Sequence, residues 1–323
     1  MTTHVYWLVS VILRGVRRLR ACLPVIVLAI ACSSLSAQEN AARTLFLVGS
    51  GNTALDQHIQ NLFSENLGEQ LSLEPIGIDQ VAGLRNSLVI TIGPTTFSEV
   101  RQENRNIPII SLLTERNFLE DFAARSPGQV SGVFYNVPLI RQALTGKAIL
   151  PQSTRIALLA TPDSMELYEP LLEQLPAFGL SARVFLVDDR DSLIPTLVRA
   201  LGYGDFLLAA PDSAIYNPRT IKHILLTAYR RNKIVIGPTQ AYVKAGSLAS
   251  SYAPFTEMVQ LASELVSSYL ANGTLPPPAY PEEYKVEINK QVARSLNIPL
   301  PDREDIARKV NQQLSNHGEA ADE

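Results

Sequence analysis

Two stretches of this chain, "ALLATPDSMELY" (157–168) and "FLLAAPDSAIYN" (206–217), each run through continuous apolar residues, stop at a Pro-Asp-Ser cluster and pass into helix-forming sequence. The same order of apolar run, polar break and amphipathic segment recurs in "TLFLVGSGNTALDQHIQNLF", "SLVITIGPTTFSEVRQ", "IPIISLLTERNFLEDF" and "KIVIGPTQAYVKAG". Unbroken apolar runs, rather than alternating ones, mark strands covered by helices on both faces. Interleaved with segments of 3.6-residue period, they predict parallel β-α-β units.

In an open parallel sheet, the loops leaving the C-terminal strand ends form the crevice in which ligands bind. The helix that follows each loop begins there with unpaired N–H groups. Hydroxyl and carboxylate residues in these loops therefore have two readings, helix capping or ligand contact. Both are open at each loop; what the set shares is one sheet edge.

The chain has 323 residues, 46% hydrophobic and 18% charged, enough for two lobes of roughly 100–150 residues each. A break near "GQVSGVFYNVP" (128–138) separates two groups of units. The fold class expected is α/β, with two Rossmann-like lobes of parallel sheet joined by a three-crossing hinge at 131–136, 234–239 and 284–288. The first lobe then comprises 41–136 plus 238–283 and the second 137–237 plus 284–310, with 311–323 a flexible tail.

The N-terminus has the order of a secretory signal: Arg14, Arg17, Arg18 and Arg20, an apolar run from Leu23 to Ala31, then "CSSLSAQEN". The run is shorter than the ~20 residues that span a bilayer. Residues 1–37 are expected to direct export. "LAIAC" (28–32) resembles a lipobox, which would acylate Cys32 and hold the protein on a membrane; the other reading is cleavage after Ser36 or Ala37 and a soluble periplasmic form. Cys22 and Cys32 are the only cysteines, so the mature fold has no disulfide and no thiol nucleophile.

Enzyme chemistry has little support. Of four histidines, His4 and His317 lie near the ends, and His58 and His223 have no second ligand at i+4. There is no Gly-x-Ser-x-Gly elbow and no complete Gly-x-Gly-x-x-Gly fingerprint, and Gly49-Ser50-Gly51-Asn52 lacks the lysine of a phosphate loop. No catalytic residue, metal or cofactor is expected. A formal net charge of −3 with scattered Lys and Arg excludes the basic stripe a nucleic-acid backbone demands.

A two-lobed exported α/β chain ending in "VEINKQVARSLNIPLP" resembles the type I periplasmic solute-binding proteins, in the branch of ABC-transporter substrate-binding proteins that includes tryptophan and tyrosine binders. The resemblance covers roughly 44–310. It rests on Ile92-Gly93-Pro94-Thr95, Ala210-Pro211-Asp212, and Ile288-Asn289 followed by Ala293, Leu296 and Ile298-Pro299. The chain departs from the family at Thr114-Glu115-Arg116, at Ser131-Gly132-Val133-Phe134-Tyr135 and at Ser250-Ser251-Tyr252. The resemblance implies capture of an amino-acid-like or aromatic solute in an interlobe cleft, delivery to an ABC permease, and a monomer. A periplasmic or sensory partner without a transport role is the alternative.

The polar groups available to such a cleft are Ser50, Asn52, Thr53, Thr95, Thr96 and Thr114 in the first lobe, and Thr161, Asp163, Asp212 and Ser213 in the second. Tyr135 and Asn136 stand at the first crossing and Thr239 with Gln240 at the next. Amides near Thr95 and Thr96 would hold a ligand carboxylate, and Asp212 would accept from a ligand ammonium.

Overall fold

The computed structural model describes residues 43–68 and 70–318. The segment expected to direct export (1–37), with Cys32, and residues 319–323 lie outside the described residues. The chain runs β1 (Arg43–Val48), α1 (Thr53–Asn66), β2 (Leu71–Pro75), α2 (Ile78–Val81), β3 (Val89–Ile92), α3 (Pro94–Glu103), β4 (Ile109–Thr114), α4 (Arg116–Arg125) and β5 (Val130–Phe134). It continues as α5 (Leu139–Ile149), β6 (Arg155–Ala160), a 3-10 turn (Pro162–Tyr168), α6 (Glu169–Gln174), β7 (Ser181–Leu186), α7 (Leu193–Tyr203), β8 (Phe206–Leu208), α8 (Ile221–Arg230) and β9 (Ile234–Ile236). It ends with α9 (Gln240–Ala245), β10 (Ala249–Tyr252), α10 (Phe255–Asn272), β11 (Lys285–Ile288), α11 (Lys290–Ser295) and α12 (Arg303–Gly318).

Two sheets result, in the orders β2-β1-β3-β4-β5 and β11-β10-β9-β8-β6-β7. Where the register is defined, the pairs are parallel except β10 with β11. Residues 43–44, 68 and 70–72 fall in a small unit of their own, in which the Arg43 amide donates to Gln70 O.

The apolar runs behave as their lack of alternation predicts. Ile156, Leu158 and Ala160 of β6 enter one core with Phe206, Leu208, Ile234 and Ile236. Their neighbours Ala157 and Leu159 enter a second core with Leu207 and Val235. Successive side chains point to opposite faces, so each strand needs apolar residues at every position. Two glycines permit close approaches within the cores: a Cβ at Gly132 would lie 2.2 Å from Ser111 O in β4, and one at Gly146 would lie 2.6 Å from the Phe206 ring.

Two boundaries differ from expectation. Residues 234–239, expected as a crossing, contain β9, an inner strand of the second sheet, and β10 pairs with both β9 and β11. The region 238–252 therefore belongs to the second sheet, and the crossing falls between β10 and α10. The cause is chemical: the Ser250-Ser251 pair lacks the apolar look of a core strand because it is satisfied by hydrogen bonds. Gln142 Oε1 accepts from the Ser251 amide at 2.8 Å, its Nε2 donates to Ser251 O and Ser250 Oγ, and Thr145 Oγ1 lies 2.8 Å from Ser251 Oγ.

The second difference is the tail. Helix α12 runs to Gly318, into the region expected to fray, and Leu314 packs against the core of the second lobe. Ile306 and Val310 enter the core of the second lobe, and the His317 ring lies 4.4 Å from Phe178.

Candidate functional site between the lobes

The first crossing leaves β5 at Tyr135 and enters α5 at Leu139. Its amides and side chains are bound on both flanks. The Tyr135 amide donates to Thr114 O, and Val133 pairs with Ala279 of the returning chain. Asn136 Oδ1 accepts the Arg116 amide at 2.9 Å, and its Nδ2 donates to Tyr280 Oη at 3.1 Å. The Tyr280 ring packs edge-on against Phe134, centroids 4.8 Å apart. Asn136 thus joins the start of α4, the first crossing and the last crossing.

Because extended side chains alternate, the crossing separates two cavities. Asn136 faces one of about 580 Å³, lined by Arg116 and Glu120 from the first lobe, Asp163, Glu166 and Pro211 from the second, and Tyr280. Tyr135 faces another of about 320 Å³, with His58 and Phe255 from the first lobe and Thr239, Gln240 and Tyr252 from the second. In the larger cavity Arg116 Nε is bonded to Glu120 Oε1 at 2.8 Å. Asp121, Asp163 and Glu166, also on its wall, have no cationic partner among the described residues.

Charge is displaced at this junction. Partial enclosure raises the pKa of Glu115 although the residue still meets solvent. Burial raises Tyr135, with the neighbouring Glu115 charge adding to the effect, and burial likewise raises Tyr280. Just before Glu115, Leu113 has φ +56° at an irregularity in the β4–β5 register. A branched side chain rarely adopts that conformation.

Five of the expected residues reach these cavities: Asn136 and Asp163 the larger, Tyr135, Thr239 and Gln240 the smaller. The others do not. Ser50 donates through its amide and hydroxyl to Asp56 Oδ1, Asn52 caps α1 at Leu55, and Thr96 donates to Gly49 O at 3.1 Å. Thr114 is buried, 2.6 Å from Ser111 Oγ. Thr53, Thr95 and Ser213 are exposed at loop or helix starts.

Asp212 departs from expectation most clearly. Its Oδ1 accepts the amides of Ala214 and Ile215 at 2.9 and 3.2 Å. Its Oδ2 accepts Ser164 Oγ at 2.5 Å, with Thr161 N and Oγ1 at 3.4 and 3.3 Å. The acceptor positions of this carboxylate are filled inside the protein, leaving capping and the joining of two loops as its work. Asp163, in the matching loop, is exposed and reaches the cavity. Sequence reasoning passed over Tyr280, hidden in the proline-rich connector, and met Arg116 only as a departure from the family pattern.

No protein-family profile and no curated protein matches the sequence. Solved structures do match. A ligand-free, open substrate-binding protein with adhesive properties from Clostridium difficile superimposes with TM-score 0.66 at 15% identity, over 82% of this chain and 98% of that one. An ABC domain in complex with L-Trp from Streptococcus pneumonia gives 0.54 at 18% identity, over 80% and 96%. A conserved domain protein from Vibrio cholerae gives 0.55 at 17% identity, over 83% and 98%. The fold is that of the type I periplasmic binding proteins. Within that fold, the crossing at Tyr135–Asn136 and the two cavities beside it occupy the junction of the lobes.

Proposed function

We propose that this chain is a solute-binding protein that captures a small amino-acid-like or aromatic molecule between its lobes and delivers it to an ABC importer. The observation that carries the reading is the Asn136 junction: a polar side chain at a crossing, flanked by cavities whose walls come from both lobes. A pocket of a few hundred Å³ with aromatic walls and a few polar groups is the usual form of a small-molecule site. Asp163 and Glu166 would take a ligand ammonium, Tyr280 or Tyr135 its apolar part, and the Asn136 amide its neutral polar groups. The L-Trp held by the streptococcal neighbour supports an amino acid as the class. Export through residues 1–37, with or without acylation of Cys32, belongs to the same proposal.

The test is native mass spectrometry of the purified protein, followed by thermal denaturation with a panel of amino acids and aromatic acids. A ligand at a hundredfold excess over Kd adds about 2.7 kcal/mol to stability. A panel that leaves the melting temperature unmoved at millimolar concentration, with no co-purified mass, would reject the reading.

A further inference from the structure

Arg141 stands in the first turn of α5 and lines neither interlobe cavity. The residue is only 9% exposed, yet no carboxylate pairs with it among the described residues. Its partners are of another kind. Nη1 donates to Asn311 Oδ1 of α12, and the guanidinium carbon lies 4.2 Å from the centroid of the Tyr284 ring. Tyr284 immediately precedes β11, at the last crossing. It is 6% exposed, and its hydroxyl has no hydrogen-bond partner among the described residues.

Both groups are donors in the folded protein. Burial lowers the pKa of Arg141, but a guanidinium starts so far above neutrality that it stays charged. Burial raises the Tyr284 phenol, which therefore keeps its proton. A cation withdrawn from water without a counter-charge is costly. The tyrosine face and the Asn311 carbonyl offset part of that cost, and neither supplies a negative charge. Nε and Nη2, which form one edge of the guanidinium fork, have no acceptor among the described residues.

We propose that this edge of Arg141 and the Tyr284 hydroxyl together hold a monovalent, monoatomic anion, chloride, between α5 and the last crossing. One positive charge calls for one negative charge, and the enclosure of both side chains favours a single atom over a phosphate or a carboxylate-bearing solute. Stacking of the guanidinium on the ring keeps the two donors close enough to share the ion. Bound there, chloride ties the last crossing to α5 and, through Asn311, to α12. The site stands apart from the interlobe cavities and does not depend on which solute they take.

Thermal denaturation of the purified chain in sodium chloride and in sodium gluconate, at equal ionic strength, tests this. The melting temperature is expected to rise with chloride as a saturable ligand requires and to stay level in gluconate. Tyr284→Phe keeps the ring against Arg141 and removes one donor, so half-saturation should move to about tenfold higher chloride. Arg141→Gln should abolish the dependence, with circular dichroism reporting whether each variant is folded. Should Arg141→Gln fail to fold, Tyr284→Phe and diffraction carry the test: crystals grown in sodium bromide should show an anomalous peak between Arg141 and Tyr284. A melting temperature indifferent to chloride, an unchanged half-saturation in folded Tyr284→Phe, or bromide crystals without that peak overturns the proposal.

Discussion

Ser164 Oγ donates to Asp212 Oδ2 at 2.5 Å across 48 residues of sequence. The bond ties the two most similar loops of the chain to each other. Thr161-Pro162-Asp163-Ser164 and Pro211-Asp212-Ser213 look like repeats of one cap, yet the serine of the first is held by the aspartate of the second. The first aspartate is left free.

This asymmetry predicts unequal effects of one substitution. Asp212→Asn replaces an acceptor with an amide N–H2 group wherever that end faces Ser164 or the Ala214 and Ile215 amides. The expected cost is about 1–3 kcal/mol, the range for leaving buried polar partners unsatisfied. Asp163→Asn should change stability by less than about 0.5 kcal/mol while weakening solute binding. Denaturant titration of both variants checks the first statement and ligand titration the second; equal midpoints would contradict the tie.

Glu115 predicts a pH dependence. Its carboxyl, partly enclosed, has a folded-state pKa above the ordinary value of 4.5, so the folded state holds the proton more tightly than the unfolded chain. Its contribution to stability is full below that ordinary value and is lost as pH rises through the elevated one. Glu115→Gln should flatten the melting-temperature profile across this window. A profile that superimposes on the unmodified protein's would remove Glu115 as its source.

Gly132 predicts a steric limit. A methyl there would stand 2.2 Å from Ser111 O and 2.7 Å from Leu119 Cδ2, and the backbone oxygen cannot move without disturbing the β4–β5 ladder. Gly132→Ala should cost about 1–3 kcal/mol or more, measured by chemical denaturation. A neutral result would mean that β5 can slide away from β4.

Tyr280→Phe keeps the ring on Phe134 and removes the hydroxyl that accepts from Asn136 Nδ2. A stability loss of about 0.5–1.5 kcal/mol is expected, together with a smaller ligand-induced melting shift. An unchanged shift would place the solute away from the Asn136 side of the crossing.

The strands buried on both faces, such as Phe206-Leu207-Leu208, were legible because short unbroken apolar runs bounded by turn residues fit strands covered on both sides. Strand β10 was not, since its burial depends on Gln142, more than a hundred residues away. The site was legible at the first crossing and, beyond it, at Asp163, Thr239 and Gln240. Tyr135 and Asn136 follow a break that announces itself, whereas Tyr280 reaches them through a connector whose prolines suggest only a spacer. The hydroxyls of Ser50, Asn52 and Thr96 obey the capping rules that made them ambiguous, and long-range partners decide between cap and contact.

Helix α12 packs Ile306 and Val310 into the core that β6, β8 and β9 build. That core closes only when residues 303–318 dock on α5 and β11. Removing them would leave apolar faces of both elements uncovered, so the helix farthest along the described sequence acts as a lid on a core whose strands begin about 150 residues earlier.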